Sequence, residues 1–174
     1  MENYSITLNF FIQKEIVKKL KKVKLSRSIT FDWRKSSLCH CTVKAIKHHS
    51  TVPEKIDLWV EQIKKNLLTQ KPFMVTVKDI ATFPKVIFAR VSSPELIKLH
   101  KKLFKILPSS QPAFENTKYV PHVTLALLSS TCSMLPTKKY FGRFKVTELE
   151  LMIWHKKNPL ESEVYHRFSL TNNL

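Results

Sequence analysis

The chain has 174 residues, of which 43% are hydrophobic and 10% aromatic, a composition that excludes an intrinsically disordered protein and allows a substantial core. Lysine and arginine outnumber aspartate and glutamate by 30 to 13, a formal net charge of +17. This excess favours polyanionic partners such as nucleic acid, nucleotides or anionic membranes, although a lysine-rich solubilising surface would produce it too.

Cysteine usage and hydropathy predict a cytoplasmic protein. The three cysteines, Cys39, Cys41 and Cys132, are an odd number in hydrophobic surroundings, which argues against a disulfide framework and for a reducing compartment. No apolar run reaches about 18 residues, so no transmembrane helix is expected. The first residues lack the basic start and the cleavage site of a signal peptide.

The first part of the chain predicts alternating strands and helices. An apolar, β-branched and aromatic run predicts a strand over Tyr4–Ile12, and apolar residues at helical spacing predict a helix over 13–24. The elements expected next are a strand over Ser28–Trp33, a strand over 39–46 and a helix over 53–70 that Pro53 opens.

The second part predicts more strands than helices. The elements expected there are strands over 72–83 and 85–91, a serine-capped helix over 92–107, and strands over 121–128, 143–155 and 163–172. Each half of the chain then holds a helix near a strand that carries a His-x-Thr motif. No linker separates the halves, so we expect one α+β domain over residues 1–174 with two similar lobes.

Two of the predicted strands carry the same polar pair, in "LCHCTVKAI" and "YVPHVTLALL". Residues i and i+2 of a strand share a face, so His40 lies beside Thr42 and His122 beside Thr124, each pair opposite apolar residues. Two further His-x-Ser/Thr patterns fall in the polar segment 47–55 and are read as surface. One such strand alone would fit a hydrogen-bonded core histidine, but two copies favour a paired site.

Two facing histidines suit acid–base catalysis on a phosphodiester. Imidazole titrates near neutral pH, so one ring can accept a proton while the other donates one, and threonine hydroxyls can hydrogen-bond the nonbridging oxygens. This chemistry needs no metal. The Cys39-x-Cys41 spacing differs from that of a zinc knuckle, and a single glycine excludes a Gly-rich phosphate loop.

With these motifs the sequence resembles the 2H phosphoesterase superfamily and, within it, the 2′-5′ RNA ligase-like cyclic phosphodiesterases. "HCTVKAI" is similar to the family's first motif, including Lys44, and "PHVTLAL" to its second, including Pro121. The order of elements matches over essentially the whole chain. The sequence departs from the family at Leu127, where members often carry an arginine; Arg34, Arg143 or Arg167 are candidates to supply that contact.

The resemblance implies a bilobal fold and a metal-independent enzyme without a cofactor. Its activity would be hydrolysis or transesterification of 2′,3′-cyclic phosphates or 2′-5′ linkages in RNA or oligonucleotides, with RNA ligation as the reverse reaction. The catalytic residues would be His40, Thr42, His122 and Thr124. The family's usual assignment makes His122 the base and His40 the acid.

Four further residues are candidates for substrate binding: Arg34, Lys44, Tyr119 and Tyr165. By strand alternation Lys44 shares the face of His40, where it would contact a phosphate or be a solvated lysine at the rim. The two tyrosines would stack on a base or pack in the core. A monomer is expected. Two alternatives remain open, namely a same-fold enzyme for 2′-5′ oligoadenylate or a cyclic oligonucleotide, and a noncatalytic RNA-binding module.

Overall fold

A computed structural model of the protein describes residues 3–23, 31–49, 52–110, 112–116, 118–129, 137–158 and 161–171. The elements are, in order, β1 (Tyr4–Phe11), α1 (Lys14–Lys21), β2 (Phe31–Trp33), β3 (His40–His49), α2 (Ile56–Leu67), β4 (Phe73–Phe83), β5 (Val86–Ser92), α3 (Pro94–Phe104), α4 (Pro112–Asn116), β6 (His122–Leu128), β7 (Thr137–Val146), β8 (Glu148–His155) and β9 (Glu163–Ser169). A short 3₁₀ turn, Ser36–Leu38, precedes β3. Within these ranges, no helix is long and apolar enough to cross a membrane.

The strands form one antiparallel sheet in the order β7-β4-β5-β6-β3-β1-β8-β9, and β2 pairs with the end of β6. The sheet divides into two halves of four strands, which meet where β6 lies beside β3. There the ladder has a single residue pair, Cys41 opposite Val123, and both residues are buried. The predicted α+β fold with two lobes is confirmed.

The helices cover one face of the sheet. On α3, Leu96, Leu99 and Leu103 are buried, and the Ser93 hydroxyl caps the helix by accepting the Leu96 N–H. The helix α1 buries Ile16 against β7 next to Gly142. The opposite face carries His40 and His122, and we call it the open face.

One predicted strand is in fact two. The predicted strand over 143–155 is divided at Thr147, because β7 pairs with β4 in one half whereas β8 pairs with β1 in the other. Neither glycine nor proline marks the crossing, so the apolar alternation runs through it without a visible break. The short helix α4 was also not predicted, since five residues are too few for a helical period to show.

Some predictions fall outside the described residues. The predicted strand over Ser28–Trp33 is described only from Phe31 onward, where β2 is confirmed. Cys132 lies outside the described ranges, whereas Cys39 and Cys41 are buried free thiols.

Candidate active site

The junction of β3 and β6 brings the two His-x-Thr motifs together. Extending the pair Cys41–Val123 by one residue in each direction places His40 opposite Thr124 and Thr42 opposite His122. The two motifs are therefore related by a local twofold axis through this pair. Both apolar partners at the axis are fully buried, which anchors the strands from the covered side.

Each imidazole is held by the same kind of hydrogen bond. The Nδ1–H of His40 donates to the Leu38 carbonyl oxygen at 2.8 Å, and that of His122 donates to the Val120 carbonyl oxygen at 2.7 Å. A carbonyl oxygen only accepts, so the proton of each neutral ring resides on Nδ1. Both rings thus have Nε2 left for proton transfer, and their orientation is fixed by backbone.

Aromatic side chains enclose both rings. His40 stacks on Trp154 with ring centroids 4.6 Å apart, and the edge of Phe11 lies 5.9 Å away. His122 has Phe83 and Phe88 at 5.2 and 5.4 Å, both edge-on. These packed rings exclude water from one side of each imidazole and limit its rotation.

Burial lowers the pKa of both histidines, because it disfavours the charged imidazolium. For His40 the positive charge of Arg34 and the neighbouring His122 add to this effect, and the pKa falls to about 4. The pKa of His122 is also lowered by burial, against which its bond to Val120 acts. At neutral pH the free protein therefore presents a neutral His40.

The two threonines differ in their hydrogen bonds. The Thr42 hydroxyl donates to Asn9 Oδ1 at 3.0 Å, and Asn9 Nδ2 donates to Thr7 Oγ1 at 2.7 Å. Trp154 Nε1 donates to the same Thr7 oxygen at 2.7 Å. A buried polar network thus connects Thr42 with the tryptophan under His40. Among the described residues the Thr124 hydroxyl makes no such bond.

Of the four predicted substrate-binding residues, Arg34 is the one that reaches the histidines. Its backbone N–H donates to the Leu125 carbonyl oxygen at 2.7 Å, and its guanidinium lies 5.8 Å from the Trp154 ring centroid. With His40 and Trp154 it lines a groove of about 260 Å³ on the open face.

Lys44 is not on the open face, which corrects the expectation from strand alternation. Its side chain is 0% exposed, with Nζ 2.5 Å from Glu115 Oε2 and 2.8 Å from the Ala45 carbonyl oxygen. The ladder between β1 and β3 shifts register here: Asn9 pairs with Thr42, but Leu8 already pairs with Lys44. Because of this bulge the Lys44 side chain lies on the same buried face of the sheet as Leu8, where a phosphate cannot reach it.

The two tyrosines also have structural partners. Tyr119 donates its hydroxyl to the Thr42 carbonyl oxygen at 2.7 Å and stacks on His100, with ring centroids 3.6 Å apart. Tyr165 lies on β9, three strands from β3, and donates to Asp57 Oδ1 of α2 at 2.7 Å. Tyr119 thus supports the strand under Thr42, and Tyr165 ties the edge of the sheet to a helix.

Two residues at the histidines were not found by sequence reasoning. Arg90 is exposed and pairs with His122 across the β5–β6 ladder. Its signal was a single charge in the apolar strand "KVIFARV", between the buried Ala89 and Val91. Trp154 had no comparable signal, because an aromatic residue in a strand is more often part of the core.

The antiparallel sheet, at whose centre two His-x-Thr strands meet, defines an α+β protein of two lobes, and the comparisons with known proteins agree. The family model of the 2′-5′ RNA ligase superfamily matches residues 14–158. The chain belongs to this superfamily, which confirms the resemblance to the 2H phosphoesterases. No curated protein sequence matches.

Solved structures of low sequence identity share the fold. Escherichia coli LigT complexed with 3′-AMP matches with a TM-score of 0.74 at 19% identity, covering 98% of this chain and 99% of that one. The protein TT0787 of Thermus thermophilus matches with a TM-score of 0.73 at 17% identity, covering 95% and 97%. A further phosphoesterase matches with a TM-score of 0.71 at 18% identity, covering 98% and 99%.

Proposed function

We propose that the protein is a metal-independent phosphodiesterase that cleaves 2′,3′-cyclic phosphates or 2′-5′ linkages of RNA or oligonucleotides. His40, Thr42, His122 and Thr124 would carry the reaction. The observation that supports this best is the local twofold arrangement at the Cys41–Val123 pair, which presents two imidazoles on one face with both Nε2 atoms left for proton transfer. Membership of a superfamily of phosphoesterases supports the same reaction class.

In the proposed reaction one histidine takes up a proton while the other gives one up. Water, or a ribose hydroxyl in the ligation direction, gives its proton to one Nε2 while its oxygen forms the new bond to phosphorus. The bond from phosphorus to the leaving ribose oxygen breaks, and the other ring, which enters the reaction as the imidazolium, donates its Nε2 proton to that oxygen. Thr124 donates to a nonbridging oxygen, and Thr42 does so once it exchanges its bond to Asn9.

The charges around the rings favour His40 as the base and His122 as the acid. Burial, together with the positive charge of the neighbouring Arg34, holds the pKa of His40 at about 4, so this ring is neutral at neutral pH and can accept a proton. For His122, burial lowers the pKa and the hydrogen bond to the Val120 carbonyl oxygen acts against it. The negative phosphate of a bound substrate would raise the pKa of His122 and so favour its protonated form. This order is the reverse of the family's usual assignment.

The test is a substrate panel assayed in EDTA. It includes 2′,3′-cyclic nucleotides, 2′-5′-linked oligoadenylate, a cyclic oligonucleotide and RNA that ends in a cyclic phosphate. We expect turnover of the cyclic-phosphate substrates, with or without turnover of the 2′-5′-linked oligoadenylate. Turnover confined to oligoadenylate or the cyclic oligonucleotide would identify a signalling-nucleotide enzyme, and no turnover at all would leave an RNA-binding module.

We further propose that residues 1–174 act as one domain and as a monomer in the cytoplasm. The continuous sheet, in which β3 and β6 join the two halves, supports a single functional unit. Arg34, at the groove beside His40, would be the substrate contact nearest the reacting phosphate.

A further inference from the structure

We propose that the open face of β4, β5 and β7 binds the RNA backbone that leads to the cleaved phosphate, so that the enzyme acts on the end of an RNA chain in preference to free mononucleotides. This inference rests on the proposed function. The surface, which we call the basic face, consists of Arg90, Lys78, Tyr140, Arg143 and Lys145.

The strand register makes the basic face continuous with His122. His122 pairs with Arg90 of β5, Arg90 with Lys78 of β4, and Lys78 with Tyr140 of β7. Directly opposed residues of antiparallel strands point to the same side of a sheet. At about 4.8 Å per strand, this row extends about 14 Å from the catalytic histidine.

A second set of residues widens the basic face along β7. Arg143 pairs with Thr76 of β4, which in turn pairs with Ser92 of β5, and Lys145 pairs with Met74. The side chains of Arg143 and Lys145 are exposed. The basic face thus offers the hydroxyl groups of Thr76 and Ser92 as well as four cations, and both kinds of group hydrogen-bond phosphate oxygens.

Tyr140 gives the basic face an aromatic platform. Its side chain is 65% exposed, although tyrosine is a large and mainly apolar residue. Single-stranded nucleic acids are held by cations that follow the backbone and by aromatic rings on which bases stack. The pairing of Tyr140 with Lys78 combines both kinds of group at adjacent positions.

Acidic groups lie near the outer part of the basic face. Asp79 accepts the Lys139 backbone N–H with its carboxylate, and Glu95 at the start of α3 lies close enough to Arg143 for the two charges to interact. Glu148 and Glu150 line a groove together with Lys145. Among the described residues, however, neither Arg90 nor Lys78 forms a salt bridge, so the row next to His122 keeps its positive charge. A phosphate chain is the polyanion that continues directly from a reacting phosphate.

The other half of the sheet carries charges of both signs, with Arg34 and Lys156 at the groove beside His40. Its open face carries Glu150, which pairs with Asn9 next to Thr42, and Glu148 further along β8. Arg167 lies 3.0 and 3.8 Å from these two carboxylates, so its charge is already matched. Carboxylates at this position repel a phosphate chain, and the chain is therefore directed over the basic face.

The experiment compares RNA oligomers of increasing length that end in a 2′,3′-cyclic phosphate with a 2′,3′-cyclic mononucleotide. For the unaltered protein we expect kcat/KM to increase with length. In Lys78→Gln/Lys145→Gln the ratio of oligomer to mononucleotide kcat/KM should fall on the order of tenfold. The slope of log affinity against log salt for the oligomer should become shallower by about 1.4, at about 0.7 per phosphate contact.

The matched control is Lys18→Gln/Lys19→Gln on α1. It removes the same charge from exposed lysines on the helix that covers the other face of β7. We expect the ratio and the salt slope to stay unchanged. An equal loss in both variants would show that net charge, and not the basic face, is responsible, and would overturn the inference.

Two outcomes separate this inference from the proposed function. If the mononucleotide is turned over and kcat/KM does not depend on length, the inference fails and the phosphodiesterase remains. If no substrate is turned over, the proposed function fails, and affinity of His122→Ala protein for the same oligomers still tests the face. If the Lys78→Gln/Lys145→Gln substitutions do not weaken the affinity for these oligomers, the inference is overturned. Circular dichroism of each variant checks that it is folded.

Discussion

At the β3–β6 junction, the proposed reaction assigns proton transfer to two side chains, His40 and His122. Replacement of His40 or His122 by alanine should lower kcat by about 10²- to 10⁴-fold, because each removes a general acid or base. Among the described residues each ring makes a single hydrogen bond, to a backbone carbonyl oxygen, so the melting temperature should change little. A large loss of melting temperature in both variants would instead identify two core histidines.

A substrate with p-nitrophenol as its leaving group separates the two roles. This group leaves without protonation, so the variant that lacks the acid should regain activity on it while the variant that lacks the base should not. We expect recovery in His122→Ala and none in His40→Ala. Recovery in His40→Ala alone would restore the family's usual order.

The lowered pKa values of both histidines place the pH optimum of kcat/KM on the acidic side of neutral. The profile should be bell-shaped, with one limb near the His40 pKa of about 4 and the other below 6.5, because the free enzyme's acid and base define the limbs. A profile that is flat from roughly pH 5 to roughly pH 9 would contradict two-histidine catalysis.

The same shift makes stability depend on pH. The His40 pKa is about 4 in the folded protein against 6.5 as its ordinary value, so between these values the unfolded chain binds more protons. The free energy of unfolding should therefore decrease as pH falls from 6.5 to about 4, with no dependence due to His40 above 6.5. Urea denaturation across this range measures it, and His40→Gln should flatten the dependence.

Between elements, the ion pair of Lys44 and Glu115 joins β3 to α4. Glu115 also accepts the Ala45 N–H at 2.7 Å and a hydrogen bond from the Ser109 hydroxyl. Glu115→Ala should lower the free energy of unfolding by about 3–5 kcal/mol, since it leaves a buried ammonium unpaired. Lys44→Met should cost less, because the carboxylate keeps two donors, and it should leave KM unchanged. A raised KM in a stably folded Lys44→Met variant would show that Lys44 does contribute to substrate binding.

The close approach of α1 to β7 depends on the single glycine of the chain. A Cβ on Gly142, where φ is +158°, would lie 2.8 Å from Ile16 Cγ1. Gly142→Ala should therefore destabilise the fold by about 1–3 kcal/mol through overpacking, measured as a lower melting temperature. In a double-mutant cycle with Ile16→Ala, the double variant should lose less stability than the sum of the losses in the two single variants. Strict additivity would contradict this steric explanation.

The sequence predicted the elements whose periodicity is local. The strands with His40 and His122 and the capped helix α3 agree with the structure because alternation and capping are short-range signals. The division of 143–155 could not be seen, since it depends on which distant strand each segment pairs with. Lys44 was misplaced for a related reason, because a bulge inverts the alternation after one residue.

For the whole molecule, the sequence predicted the sign of the charge but not its distribution. The formal net charge of +17 does not distinguish a solvated helix surface from a face continuous with His122. Cross-strand register supplies that distinction, since Arg90, Lys78 and Tyr140 are far apart in the chain and adjacent in the sheet. Contacts of this range leave no periodic pattern in a single sequence.

The two halves of the sheet differ in how the chain builds them. The half with β4, β5, β6 and β7 is one segment over 73–146, whereas the half with His40 takes β1 and β3 from before that segment and β8 and β9 from after it. During synthesis on the ribosome the segment can therefore pair its own strands early, while β1 waits for β8 to emerge. Trp154, on which His40 stacks, arrives with β8. The nascent chain would accordingly remain inactive until β8 has emerged from the ribosome.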